Sequence, residues 1–196
     1  MSFSAGRVTA LVVASCFAAG LNVYATIATL GVLGRAQLIE LPQSLDLVTS
    51  WWVIGASLAL YVVEFVIDKI PVVDLVWNAL QTFVRVPVAA LLAYAAAARL
   101  SPAEQLLTAA VGGCVALVAH GGKTAARLAV TPSPEPLSNL ALSVGEDGLA
   151  VFLTWLSGRY PYWAAGITAG LLAAALALLW TVQRAARAVY ARYRDR

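Results

Sequence analysis

The chain has 196 residues, 61% of them hydrophobic and only 12% charged, with a formal net charge of +3 and a mean hydropathy of +0.82. Usage this apolar excludes an ordinary soluble domain, two cysteines without a CxxC spacing exclude a disulfide framework or metal knuckle, and a small basic excess confined to a short tail excludes a nucleic-acid partner. The composition is that of an integral membrane protein, a single transmembrane domain over 1–196 with no separate soluble part.

Six apolar segments predict an all-α bundle of about six transmembrane helices. The first, 8–34, reads as one long helix with a mild polar stripe of Ser15, Asn22, Thr26 and Thr29. A connection over 35–50 follows, mixed enough for a short interfacial helix. The second segment, 51–67, places Ser57, Tyr61, Glu64 and Asp68 at i, i+4, i+7 and i+11, one helical face. Pro71 ends it. The third, 75–98, repeats that spacing with Asp74, Asn78, Gln81 and Arg85.

Ser101-Pro102 with Glu104 predicts an N-cap and a proline at the first helical position of the fourth segment, 103–130, which carries His120, Lys123 and Arg127. The stretch 131–136, TPSPEP, cannot be helical. Ser138 or Asn139 is expected to cap the fifth segment, 137–156, where Ser143, Glu146 and Asp147 are the polar residues. Gly158 to Pro161 separates it from the sixth, 162–182, and a basic tail occupies 184–196. Trp51, Trp52, Trp155, Tyr160, Tyr162 and Trp163 stand at segment ends, as an interfacial belt requires.

Six crossings put both termini on one side. The arginines of the tail make that side cytoplasmic, so the expectation is a multi-pass protein of the cell (inner) membrane with both ends inside. Cys16 and Cys114 lie in apolar runs and read as buried, inert thiols. A weak likeness between AAGLNVYA and AHGGKTAA would suit a 3+3 inverted repeat.

The charges inside these segments are the strongest functional signal. An ionised side chain at a helix centre costs roughly 2.5–3.5 kcal/mol on insertion scales, so several in one small protein mark a site or pathway by default. Lipid cannot solvate the stripes, and they are best satisfied by converging on one polar interior. Its expected members are Asn22, Glu64, Asp68, Lys69, Asp74, Arg85, His120, Lys123, Arg127, Asn139, Glu146 and Asp147. Within it, Glu64, Asp68, Glu146 and Asp147 are the candidate ligands of a cation, a metal ion included, since crowded carboxylates attract a proton or a hard cation. Buried ion pairs between these acids and Arg85, Lys123 or Arg127 are the structural alternative.

The runs EFVIDKIPVVDLVWNALQTFVRVP, GLNVYAT and SPEPLSNLALSVGEDGLAV together resemble a family of small multi-pass bacterial membrane proteins catalogued only as a domain of unknown function. The likeness implies an all-helical membrane fold and supplies no activity. Residues carrying it are Asn22, Glu64, Asp68, Lys69, Pro71, Asp74, Trp77, Arg85, Pro136, Asn139, Glu146 and Asp147. In addition, Glu64-x-x-x-Asp68-Lys69 is similar to the Glu-x-Gly-Asp-Lys signature of membrane cation exchangers, with one residue more and the glycine absent.

These observations favour a small transporter or channel-like protein for a cation, proton or small polar solute, with Lys123 and Arg127 as counter-charges or gates. The expected partners are membrane lipid, further copies of the chain and a small ion or polar solute; the cofactor is left open, with a bound cation as the candidate. A membrane-embedded enzyme that holds a lipid phosphate or diphosphate with a divalent cation is the alternative, and a structural scaffold is the third.

Overall fold

A computed structural model describes residues 4–130 and 136–194, and every regular element in them is helical. The chain order is α1 (Ala5–Leu21), α2 (Val23–Arg35), a 3-10 helix (Gln43–Thr49), α3 (Trp51–Ile67), α4 (Pro71–Ala96), α5 (Pro102–Val130), α6 (Pro136–Arg159) and α7 (Pro161–Arg194).

The principal departure from expectation is the first apolar segment, which is two helices rather than one. Asn22 is extended, at φ −151° and ψ 104°, and its Oδ1 accepts the Ala25 N–H at 2.9 Å, so it caps α2 at the point where α1 stops. Asparagine favours this because its short side chain competes for backbone donors that a helix would otherwise satisfy. The chain then turns back. Leu30 of α2 lines the same small cavity as Leu11 and Cys16 of α1, and Ala5 and Val8 share a cleft with Glu40, Leu41 and Ala96–Leu100. Arg7 and Glu40 pair across it at 2.9 Å. The two helices therefore form a re-entrant pair whose tip, at Asn22, lies inside the bundle, the one setting in which broken backbone is tolerated at membrane depth.

Four helices are long and apolar enough to cross a bilayer, Val76–Ala96, Pro102–Leu128, Leu140–Arg159 and Pro161–Ala188, and the 3-10 helix with α3, meeting at 60°, makes a fifth. These four to five candidate spans, with the shorter apolar helices α1 and α2 beside them, are roughly compatible with the expected bundle of about six helices. The start of α1 and the start of α7 adjoin, with Gly6 beside the Tyr162 side chain, so the C-terminal end of α7 lies at the opposite end of the bundle from Ala5.

Central α1 packs on α4, α5, α6 and α7. Its approach to α5 depends on Gly20, where a Cβ would meet the Ala116 carbonyl and the Ala119 methyl. The AAGLNVYA and AHGGKTAA stretches are thus direct neighbours on helices that both start at the end of the bundle holding Ala5 and Ala98; an inverted repeat would run them oppositely. Glu104 accepts the Ser101 N–H at 2.9 Å and closes the expected capping box of α5. By contrast α6 starts at Pro136, ahead of Ser138 and Asn139, so neither is its cap. Cys16 is buried as expected, but Cys114 is exposed on the outer face of α5.

Trp51, Trp52, Tyr162 and Trp163 are exposed at one end of the bundle and Trp180 towards the other. With 1.5 Å rise per residue, Trp163 and Trp180 on α7 stand about 25 Å apart along the axis.

Candidate functional site

Breaking a helix in the bilayer frees carbonyls at its C-terminus, and those of α1 are met by basic side chains. Arg85 of α4 donates to the Gly20 carbonyl at 3.3 Å, and Lys123 of α5 donates to the Leu21 carbonyl at 3.2 Å. The Asn22 amide donates in turn to Asp147 of α6 at 2.8 Å. The tip of the re-entrant pair is therefore held by three crossing helices.

Around it the predicted stripes converge. Glu64 and Arg85 form a close ion pair, with both side chains fully buried. The Lys123 ammonium lies 3.8 Å from Glu64, 3.6 Å from Asp68 and 3.2 Å from Glu146, so with Leu21 it faces four oxygens from α1, α3 and α6. Arg127 bridges Asp68 and Glu146, at 2.8 Å to each, and Ser143 donates to Asp68 at 3.4 Å. His120 completes the set: Nδ1 accepts from Arg85 at 2.8 Å while Nε2 donates to the Asn78 carbonyl at 3.0 Å, which fixes its tautomer.

The cluster is graded in exposure. Side-chain accessibility is 10% at Arg127 and 11% at Glu146, 1% at Asp68 and 0% at Glu64, Arg85 and Lys123. Its mouth thus lies towards the C-terminal end of α5, and α1 and α2, with Phe17, Leu21 and Val23 buried, close it on the other side. Packing of Gly121 and Gly122 against Leu179 and Ala175 puts the mouth in the half of the bilayer nearer Trp180.

Asp147 differs from the other acids. Its partners are neutral, Asn22 and the Tyr61 hydroxyl, which donates at 3.3 Å. Among the described residues, four carboxylates face three basic side chains, which leaves one negative charge unbalanced. Two carboxylate oxygens, Glu64 Oε2 and Asp68 Oδ1, are buried with no hydrogen-bond partner.

Of the expected site residues, Asn22, Glu64, Asp68, Arg85, His120, Lys123, Arg127, Glu146 and Asp147 are brought together. Lys69 is not. It is exposed, donates to the Phe65 carbonyl at 2.7 Å and stacks on the Phe65 ring, because a residue adjacent to Asp68 points about 100° away from it. The side chains of Asp74 and Asn139 lie outside the described residues. The expected metal set is also rearranged: among the described residues no three of His, Cys, Asp and Glu are placed to hold a metal ion. The reason is Lys123, whose ammonium takes the central position among Glu64, Asp68 and Glu146.

Sequence reasoning missed Tyr24, which accepts from Gln81 at 3.0 Å, and the Gly20 and Leu21 carbonyls. The only signal for Tyr24 is its place two residues past Asn22; the carbonyls became available only through the helix break.

A family model described as "Domain of unknown function (DUF4126)" matches residues 9–181. No curated protein and no solved structure matches the chain.

Proposed function

We propose that this chain, which belongs to the DUF4126 family, is a small membrane transporter or channel-like protein that moves a cation, proton or small polar solute through its charged interior. The observation that carries the reading is the helix break at Asn22, set in a buried cluster that among the described residues holds four carboxylates against three basic side chains. Discontinuous helices at membrane depth supply carbonyls and dipole ends that bind ions, and acids buried there are expensive unless they serve a pathway.

In this reading Glu146 and Arg127 form the entrance. Asp68 and Glu64 carry the ion inward, and Lys123 acts as a tethered cation that an incoming one displaces from the same oxygens. Asn22 and Asp147 mark the inner limit, and the apolar face of α1 and α2 is the barrier that would have to open. The cluster faces the end that bears the arginines of the tail, which makes its mouth cytoplasmic by the positive-inside rule. The lipid-phosphate enzyme is less well supported, since Arg85, Lys123 and Arg127 are each within 4.0 Å of a carboxylate.

Purified protein in liposomes with an internal pH dye or an alkali-ion indicator tests the proposal. Flux under an imposed gradient should be lost in Glu64→Gln and Glu146→Gln variants that keep the helical content of the native chain at the assay temperature, whatever their loss of thermal stability. Flux equal to empty liposomes, or unchanged in both variants, refutes the reading.

A further inference from the structure

Helices α3 and α6 both pack on α2 and leave a groove of about 520 Å³ between them, open to the outer face of the bundle. One wall carries Tyr61 and Phe65, with ring centroids 6.1 Å apart. The other carries Phe152 and Trp155, at 6.0 Å. Asp147 is at the floor, only 5% exposed, where its Oδ2 accepts from Tyr61.

An apolar groove on a membrane protein is ordinarily filled by acyl chains. This one differs in having a carboxylate at its base with neutral hydrogen-bond partners, and aromatic pairs on both sides. The quadrupole of an aromatic face attracts a cation, and the attraction grows when the site is dry. Apolar walls of this volume, with one fixed charge that sets orientation, are the usual construction of a site for a compact organic ligand. A neutral lipid tail has no use for the charge, and an anion is repelled by it.

We propose that the α3–α6 groove binds an amphiphilic organic cation that enters sideways from the lipid, with its charge at Asp147 and its apolar body between the aromatic pairs. The assignment rests on the cation reading of the interior and names a substrate class for it. Asp147 belongs to both regions, since its other oxygen accepts from Asn22 at the helix break, so a cation in the groove offsets the excess of carboxylates over basic side chains among the described residues of the cluster.

Gly148 makes the proposal testable without disturbing the core. It lines the groove, and a Cβ there meets nothing within 4 Å; Gly145, on the same helix but outside the groove lining, is equally open. Tetraphenylphosphonium and tetraphenylborate share size and shape and differ in charge, so they separate charge recognition from partition into lipid. Binding of each to the protein in zwitterionic nanodiscs, with empty nanodiscs subtracted, should be saturable for the phosphonium alone and should quench tryptophan fluorescence. Asp147→Asn should weaken it at least about tenfold. Gly148→Leu should abolish it and Gly145→Leu leave it unchanged, a comparison that decides the matter if Asp147→Asn fails to fold. Equal binding of the two ions, or phosphonium binding indifferent to Gly148→Leu, overturns the proposal and leaves a groove for lipid tails. Absent ion flux in liposomes with phosphonium binding intact strikes the transport reading alone, and the reverse pattern strikes the groove alone.

Discussion

Asn22 and Asp147, far apart in sequence, meet at 2.8 Å inside the bundle, and the same asparagine side chain that binds the acid also caps α2. The position of the helix break and the position of a carboxylate with neutral hydrogen-bond partners are thus set by one residue. Asn22→Ala removes both bonds and should lower stability by about 1.5–5 kcal/mol, the sum expected of a lost cap and an orphaned buried acceptor. Asn22→Asp keeps the cap but sets two acids together and should be worse. Thermal unfolding in detergent checks the order; an alanine variant more stable than the native chain would mean that α1 and α2 prefer to join.

The re-entrant pair makes a prediction about sidedness. With Cys16 and Cys114 replaced by alanine, single cysteines at Ser4 and Ser44 should be labelled by an impermeant maleimide from one face of the membrane, and one at Ala186 from the other. Labelling of Ser4 and Ser44 from opposite faces would restore a single first crossing.

Lys123 is predicted to stand in for a cation. Lys123→Met leaves oxygens of Leu21, Glu64, Asp68 and Glu146 facing one another, so the variant should be destabilised in alkali-free buffer and recover on addition of an alkali chloride, since a ligand bound only to the folded state stabilises it by mass action. The native protein, where Lys123 competes for the same oxygens, should show a clearly smaller gain. Equal salt response in the two proteins would remove Lys123 from the cation position.

Glu64 and Arg85 should prove strongly coupled. Loss of either partner leaves a buried charge alone, and Glu64→Gln or Arg85→Met should each cost about 3–5 kcal/mol. The double variant should cost clearly less than the two together, by a coupling in the range of about 0.5–3 kcal/mol. Additive unfolding energies would show that Arg85 is held by the Gly20 carbonyl and His120 rather than by Glu64.

What could be read from the sequence and what could not divides along a physical line. Helical period places Ser57, Tyr61, Glu64 and Asp68 on one face whatever the helix packs against, and the cost of a charge in lipid turns that face inward; both statements need only local geometry and composition. The break at Asn22 is a different matter. An asparagine in an apolar run is tolerated in a helix, and only the presence of Asp147, Arg85 and Lys123 from three other helices makes the broken form the better one. Tertiary packing also undid the expected metal set, because a lysine on α5 takes the place that carboxylates on α3 and α6 would have offered a metal. Lys69 shows the converse limit: the stripe ended at Asp68, and its neighbour in sequence was not its neighbour on the helix.

The two rows of interfacial aromatics carry a last implication. Trp163 and Trp180 on α7 are about 25 Å apart, and α3 runs from Trp51 to the charged Asp68 over the same length. A typical hydrocarbon core is about 30 Å thick. The aromatic rows are therefore closer together than that core is thick, while the apolar stretches of α5 and α7 run on beyond them. Each ångström of mismatch is relieved by thinning the bilayer or tilting the bundle, so the thickness of the host membrane sets how deeply water reaches towards Glu64.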